Sequence, residues 1–266
     1  MTRWHNISEI TKTISDTAYK AYEKRLLREI KSHEAFPQHI AVIMDGNRRF
    51  ARQLGLNSNE GHVQGKEKLE EMLDWCVELD IKYLTVYAFS TENINRDSEQ
   101  VEMLMDLFED NFKRAADDER VHKKKIKIRA IGAVEKLPDR VKKSIQYAEE
   151  KTKDYDDYFF NIAVAYGGRE EIIRAIRKVA QEVKDGEMEV DDIDEKAVAK
   201  RLYTSDLPDP DLILRTSGEE RISNFLIWQL AYSELYFTDV YWPGFRKIDF
   251  LRAIRSYQNR QRRWGK

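Results

Sequence analysis

Apolar and β-branched residues come in short runs along this chain: Ile40–Met44, Tyr83–Phe89, Ile126–Ile131, Phe159–Ala165, Leu212–Leu214 and Leu235–Val240. Between them the apolar positions recur at helical spacing, over about Gly65–Leu79, Gln100–Val121, Asp139–Lys151, Arg169–Val183 and Asp249–Arg262. Short, almost wholly apolar strands separated by amphipathic helices predict a mostly parallel sheet covered on both faces. The expected fold class is therefore α/β, a single domain with a central sheet flanked by helices. A further helical pattern places Ile7, Ile10, Ile14, Ala18, Tyr22 and Leu26 on one face, with Arg25, Arg28 and Lys31 near its end. It divides the chain into an N-terminal helical segment, 1–36, and a main domain, 37–266. That first helix either packs on the core or lies on a membrane surface as a peripheral contact. The acidic stretch Asp185–Glu195 reads as a solvated loop and the cap of a following helix.

Composition narrows the partners. The chain has 266 residues, enough to bury roughly 70–75% of its unfolded surface in one large domain. Its 46 basic and 48 acidic residues nearly cancel, so no nucleic-acid partner is expected. The single cysteine, Cys76, excludes an internal disulfide and a Cys-rich metal site, and lies in a helical pattern as a small buried hydrophobe. No signal peptide opens the sequence and no apolar run is long enough to span a bilayer, which fits a reducing, cytoplasmic setting.

Ligands of open α/β sheets sit beyond the carboxyl ends of the strands, so the residues after each run are read together. The first run is followed by Asp45, Gly46, Asn47, Arg48 and Arg49; the second by Ser90, Thr91, Glu92, Asn93, Asn95 and Arg96. The fourth is followed by Gly167, Gly168 and Arg169; the fifth by Arg215, Thr216, Ser217, Gly218, Glu219 and Arg221. Arginine grips phosphate with a planar fork, and glycine lets backbone N–H groups approach an oxyanion. This edge is built for phosphate, at more than one place. No G-x-x-x-x-G-K-[ST] and no G-x-G-x-x-G follows a strand, so a P-loop or dinucleotide fold is unsupported.

A carboxylate among phosphate sites repels the ligand unless a divalent cation lies between them. Mg²⁺ takes one or two carboxylates plus substrate phosphate oxygens. Asp45 is the first expected ligand, and Glu234, at the head of the last apolar run, the second. His62 in "EGHVQG", placed in a polar loop before the second helix, is a candidate donor to phosphate.

The stretches "HIAVIMDGNRRFA", "EGHVQG", "YLTVYAFSTENINR", "NIAVAYGGR", "DPDLILRTSGEERISNFLIWQLAYSELYFTDVYWP" and "NRQRRWGK" resemble the cis-prenyltransferases of the undecaprenyl diphosphate synthase type, in family order from residue 39 to the end. The "MDGNRR" and "RTSGE" forms look closer to archaeal and eukaryotic members. The resemblance implies condensation of isopentenyl diphosphate onto an allylic diphosphate, farnesyl or geranylgeranyl, with Mg²⁺. It implies an undecaprenyl diphosphate synthase-like fold with a hydrophobic tunnel, and a homodimer. Asp45 then matches the essential metal-binding carboxylate and Glu234 a second ligand. Gly46, Asn47, Arg48 and Arg49 match the allylic diphosphate cradle, and Asn93 the residue that helps remove a proton. His62, Ser90, Thr91, Glu92 and Arg96 join the pocket; Arg215, Arg221 and Ser223 match the isopentenyl diphosphate site. Phe50, Ile94 and Ile222 fall in the same substrate-binding stretches. Arg263, Trp264 and Gly265 match a tail that completes a neighbouring subunit's site. Ser58 stands where many members carry an arginine, Phe50 where Trp or Tyr is frequent, and Ile94 where Trp is common.

A hydrocarbon product needs an apolar wall. The expected wall is the helix bearing Val101, Leu104, Met105, Phe108 and Phe112, facing the strand Tyr83–Phe89; the plain alternative is that this stripe is core. Two rival functions are a non-catalytic subunit of a heteromeric prenyltransferase and a generic phosphate-handling hydrolase. The first sits poorly with Asp45, Asn47, His62, Asn93, Arg215 and Arg221 all being present. The second has no need of a long apolar helix beside the phosphate edge.

Overall fold

In the computed structural model, residues 19–95 and 98–261 are described, without the side chains of residues 58, 59, 94, 95 and 261. Six strands form one parallel sheet in the order β3-β4-β2-β1-β5-β6. They are β1 (His39–Ile43), β2 (Tyr83–Ser90), β3 (Ile126–Ile131), β4 (Tyr158–Tyr166), β5 (Leu212–Arg215) and β6 (Glu234–Phe237). β1 is buried along its whole length because neighbours flank it and helices cover it. The chain leaves β1 toward β2 on one side and returns as β5 on the other. Their carboxyl ends therefore diverge into a crevice, the place where such sheets hold ligands.

The helices are α1 (19–31), α2 (Asn47–Gln53), α3 (Ser58–Glu78), α4 (Ser98–Asp117), α5 (Glu119–Lys123), α6 (Asp139–Thr152), α7 (Gly168–Lys184), α8 (Glu195–Ala199) and α9 (Lys247–Gln261). The pattern expected over Gln100–Val121 is two helices, because Asp118 takes an extended conformation and its side chain accepts from the Arg120 backbone N–H. Asp194 caps α8 in the same way, as the acidic stretch before it suggested. The described part of the N-terminal segment docks on the main core: Leu26 and Ile30 are buried in it, and Gln258 of α9 donates to the Ile30 carbonyl at 3.1 Å. Ile7, Ile10, Ile14 and Ala18 lie outside the described residues. Among the described residues, no helix is long and apolar enough to cross a membrane. Cys76 is buried, and burial pushes its thiol well above the usual range.

One buried polar group makes the fold acid-sensitive. His39 opens β1 with 2% of its surface exposed. Its Nδ1 lies 2.6 Å from the Pro208 carbonyl and its Nε2 2.7 Å from the Thr85 hydroxyl. Asn161 Nδ2 donates to that hydroxyl, which leaves Thr85 to donate to Nε2 and fixes the Nδ1–H tautomer. Burial disfavours the imidazolium and lowers its pKa from 6.5 to about 4. The unfolded chain binds this proton more readily, so the stabilisation is present above the unfolded pKa. It is lost as pH falls from 6.5 toward about 4. The expected loss is about 3 kcal/mol. Urea midpoints measured across this window should fall steeply for the native sequence and less steeply for His39→Gln; equal slopes would remove His39 as the cause.

Candidate active site

Three neighbouring strand ends build the site. β1 delivers Asp45, β2 delivers Ser90 and the 3₁₀ turn Thr91–Asn95, and β5 delivers Arg215 directly opposite Ile43. Gly46 turns the chain from β1 into α2 with φ +104°. A Cβ there would lie 2.7 Å from the Tyr241 ring, so glycine is required both by conformation and by space. The first turn of α2 has no side-chain cap, which leaves its leading backbone N–H groups facing the crevice without intrahelical acceptors.

Asp45 is the hub. Arg215 Nη2 donates to its Oδ2 at 2.8 Å, and Arg49 Nη2 lies 3.2 Å from its Oδ1. Thr216 secures the backbone, its hydroxyl accepting from the Asp45 N–H at 3.0 Å and donating to the Asp45 carbonyl at 2.7 Å. Burial alone would raise the Asp45 pKa; the Arg215 hydrogen bond and charge, with Ser217 and Arg49, outweigh it and hold the carboxyl below its usual range. Asp45 is thus ionised at neutral pH, as a metal ligand must be. Arg49 also reaches Ser217 Oγ at 2.6 Å and Glu219 at 3.1 Å.

Arg215 is 4% exposed and bridges three acceptors: Asp45, the Ser223 hydroxyl at 2.8 Å, and the Arg221 carbonyl. Its Nε is buried without a hydrogen-bond partner. Arg221 is outside this packing, exposed and 2.5 Å from Glu219. The loop that carries these groups is strained. Ser217, Ser223, Asn224 and Leu226 all have positive φ, a concentration that belongs to sites whose geometry is imposed by tertiary contacts. Asn224 pins the loop to the other strand ends by donating to Glu92 at 2.9 Å and accepting from the Arg169 backbone.

From this polar mouth a cavity of about 1170 Å³ runs between α3 and α4 over the face of the sheet. Its mouth is lined by Asp45, Gly46, Asn47, Arg48, Arg49 and Ser90, together with His62, Glu92, Asn93, Arg215, Arg221 and Ser223. Beyond them the wall turns apolar: Leu69 and Leu73 from α3, Leu104, Leu107, Phe108 and Phe112 from α4, and Val86 and Phe89 from β2. Asn93 accepts from the Ser90 N–H at 3.4 Å, which turns its amide at the lip. Val101 and Met105 belong to the core beside the cavity rather than to its wall.

Several expected residues fall elsewhere. Glu234 starts β6, level with Leu212 and Ile40, so the parallel register puts it at the opposite end of the strands from Asp45. It pairs there with Arg260 at 2.7 Å and makes no ligand pair with Asp45 within the chain. Among the described residues no group of three or more His, Cys, Asp or Glu side chains is placed to hold a metal ion. Thr91 packs against Gly167, Phe50 against Gly244, and Ile222 lies in the loop behind Arg221; none lines the cavity. Ile94 occupies the 3₁₀ turn without a described side chain, and Arg96 and the tail from Arg263 lie outside the described residues.

His62 reaches the mouth from inside α3, not from a loop, because "EGHVQG" is helical. The two glycines let α2 cross close over α3: a Cβ at Gly61 would lie 2.4 Å from the Asn47 carbonyl oxygen, and one at Gly65 2.2 Å from Asn47 Oδ1. Trp242, unremarked in the sequence, locks the crossing by donating from Nε1 to the Gly65 carbonyl and from its backbone to Asp45. Helix propensity alone would make Gly61→Ala stabilising by about 1 kcal/mol. The clash is with backbone, and overpacking costs about 1–3 kcal/mol. Gly61→Ala is therefore expected to lower the melting temperature and kcat/KM together; an unchanged or raised melting temperature would show that α2 can move aside freely.

The Prenyltransf family model, described as "Putative undecaprenyl diphosphate synthase", matches residues 43–265. A tritrans,polycis-undecaprenyl-diphosphate synthase (geranylgeranyl-diphosphate specific) of Methanopyrus kandleri is 56% identical over 93% of this chain and 91% of its own length. The protein of the same description from Thermoplasma volcanium is 55% identical over 97% of this chain and 99% of its own. Lavandulyl diphosphate synthase from Lavandula x intermedia, crystallised with dimethylallyl diphosphate, superposes with a TM-score of 0.80 at 38% identity. The match covers 85% of this chain and 97% of that one. The chain belongs to the undecaprenyl diphosphate synthase family of cis-prenyltransferases.

Proposed function

We propose that the chain condenses isopentenyl diphosphate repeatedly onto geranylgeranyl diphosphate, in cis, to make an undecaprenyl diphosphate, working with Mg²⁺ as a homodimer. One observation carries the reading: a single cavity that begins at the cluster of Asp45, Arg49, Arg215 and Arg221 and continues as an apolar channel between α3 and α4. A diphosphate head and a hydrocarbon tail need these two surfaces in this order. The primer follows the relatives' specificity.

The residues divide the work. Gly46, Asn47, Arg48 and Arg49 receive the allylic diphosphate with its tail along Phe89 and Phe108. Arg221, Ser223 and Arg215 receive the isopentenyl diphosphate beside it. Asp45, one ionised carboxylate with phosphate sites around it, fits Mg²⁺ completed by substrate oxygens. When bound, the ion would draw charge from the departing pyrophosphate. The allylic carbon–oxygen bond breaks, its electron pair leaving with pyrophosphate while Arg49 and Arg48 stabilise the growing charge. The double bond of isopentenyl diphosphate attacks the allylic carbon, and the adjacent proton is lost to restore a double bond. Asn93 is too weak a base to take that proton; its amide orients the path, with phosphate as acceptor. The lengthened chain then slides into the apolar channel.

Incubation with labelled isopentenyl diphosphate, geranylgeranyl or farnesyl diphosphate, and Mg²⁺ tests the reading. Expected are chains of eleven units made best from geranylgeranyl diphosphate, halted by a chelator and restored by Mg²⁺, and a dimer by light scattering. Release of phosphate without chain growth would establish the hydrolase instead; no turnover of either substrate would establish the non-catalytic subunit.

A further inference from the structure

The cavity changes character again at its far end. α3 and α4 both run away from the mouth, and the chain reaches the opposite edge of the sheet at α5, just before Ile126 opens β3. There Arg114, Asp118 and Arg120 line the cavity, and from α3 Lys66, Glu70 and Asp74 line it interleaved with Leu69 and Leu73. Arg120 of α5 reaches across to Glu70 of α3 at 2.9 Å and is held from behind by Asp118 at 2.6 Å; Lys66 supports Glu70 at 3.8 Å. Asn111, on the same wall, buries an Oδ1 that has no hydrogen-bond partner.

We infer that this ion-paired strap between α3 and α5 sets the length of the product, an inference that rests on the proposed synthase activity. Each added unit is favoured inside the apolar stretch because it leaves water. At the strap the growing end meets charges that are already satisfied by one another and by solvent. To advance, it must separate them or emerge beside them, and neither gives the hydrocarbon an apolar surface. Growth therefore ends at the strap, without a bulky side chain closing the channel. Arg120 and Glu70 are 53% and 41% exposed, so the strap is held by weak, screened pairs and yields to salt.

The test reads chain lengths by mass spectrometry, using geranylgeranyl diphosphate and labelled isopentenyl diphosphate. Arg120→Leu, Glu70→Leu and the double variant each carry the apolar lining past the present end. They are expected to lengthen the product by about one to three units while leaving the first condensation unchanged. Raising salt from about 0.1 M to about 1 M cuts the screening length from ~10 Å to ~3 Å and should lengthen the native enzyme's product, but not the double variant's. Unchanged or shorter products in the folded single variants, with no salt effect on the native enzyme, would overturn the strap. If the leucine variants do not fold, the native salt series alone decides it. Failure of the native protein to elongate at all would instead overturn the synthase reading.

Discussion

Asp45→Ala is expected to reduce turnover on the order of 10³-fold or more, because a divalent ion at the leaving group supplies several kcal/mol of transition-state stabilisation. It should also weaken the fold. Arg215 is almost fully buried, and Asp45 is the carboxylate that compensates its charge. Breaking a buried pair by removing one partner costs about 3–5 kcal/mol. The Asp45 side chain is 30% exposed, which puts the loss at or below the bottom of that range. Asp45→Asn separates the two effects. Its amide oxygen can still accept from Arg215, so the melting temperature should recover most of the loss while turnover stays low. Circular dichroism melts and single-turnover assays on both variants decide it. A folded Asp45→Asn enzyme with near-native turnover would show that the carboxylate's charge is not needed, and with it the metal assignment would fall.

Arg215→Ala and Arg221→Ala should part company, though both residues are proposed to receive the isopentenyl diphosphate. Arg221 is exposed, and its loss removes one charge-assisted contact; the KM for isopentenyl diphosphate should rise about tenfold, with kcat and stability little changed. Arg215 joins Asp45, Ser223 and the Arg221 carbonyl, so it positions both the Asp45 carboxylate and the strained loop. Its loss should lower kcat/KM on the order of 10³-fold and affect both substrates. Arg215→Lys should not rescue, since an ammonium cannot span three acceptors held in the plane of a guanidinium. Steady-state kinetics with each substrate varied in turn would reveal it; equal, isopentenyl-specific losses in both alanine variants would mean that Arg215 serves only as a phosphate contact.

The parallel sheet, its six strands and the edge that carries the chemistry follow from local sequence, because apolar runs of strand length alternate with amphipathic helices. The clustering of Asp45, Arg49, Arg215 and Ser90 at one edge follows too: in a parallel sheet every residue just after a strand shares that edge. The same rule separates Glu234, which stands at the head of its strand, from Asp45 within the chain. The apolar character of α4 was equally plain, since one face of an amphipathic helix must be covered.

What the sequence left open depends on contacts between distant residues. "EGHVQG" looks like a loop because glycine is a poor helix former; only the crossing of α2 over α3 shows that both glycines are there for clearance. Periodicity assigns Val101, Met105, Leu104 and Phe108 to one apolar stripe. Which of them fill the core and which face an open channel depends on how far α3 stands from α4, and no local pattern encodes that distance. The directions of Thr91, Phe50 and Ile222 are likewise set by the partners that receive them. Charge balance along α3 and α5 gave no hint that Glu70 and Arg120, fifty positions apart, meet at the wall of the cavity. Local sequence determined the elements and the kind of chemistry at their ends. Tertiary packing decided which side chains share a space, because that depends on distances between elements, which are set by the sum of many long-range contacts.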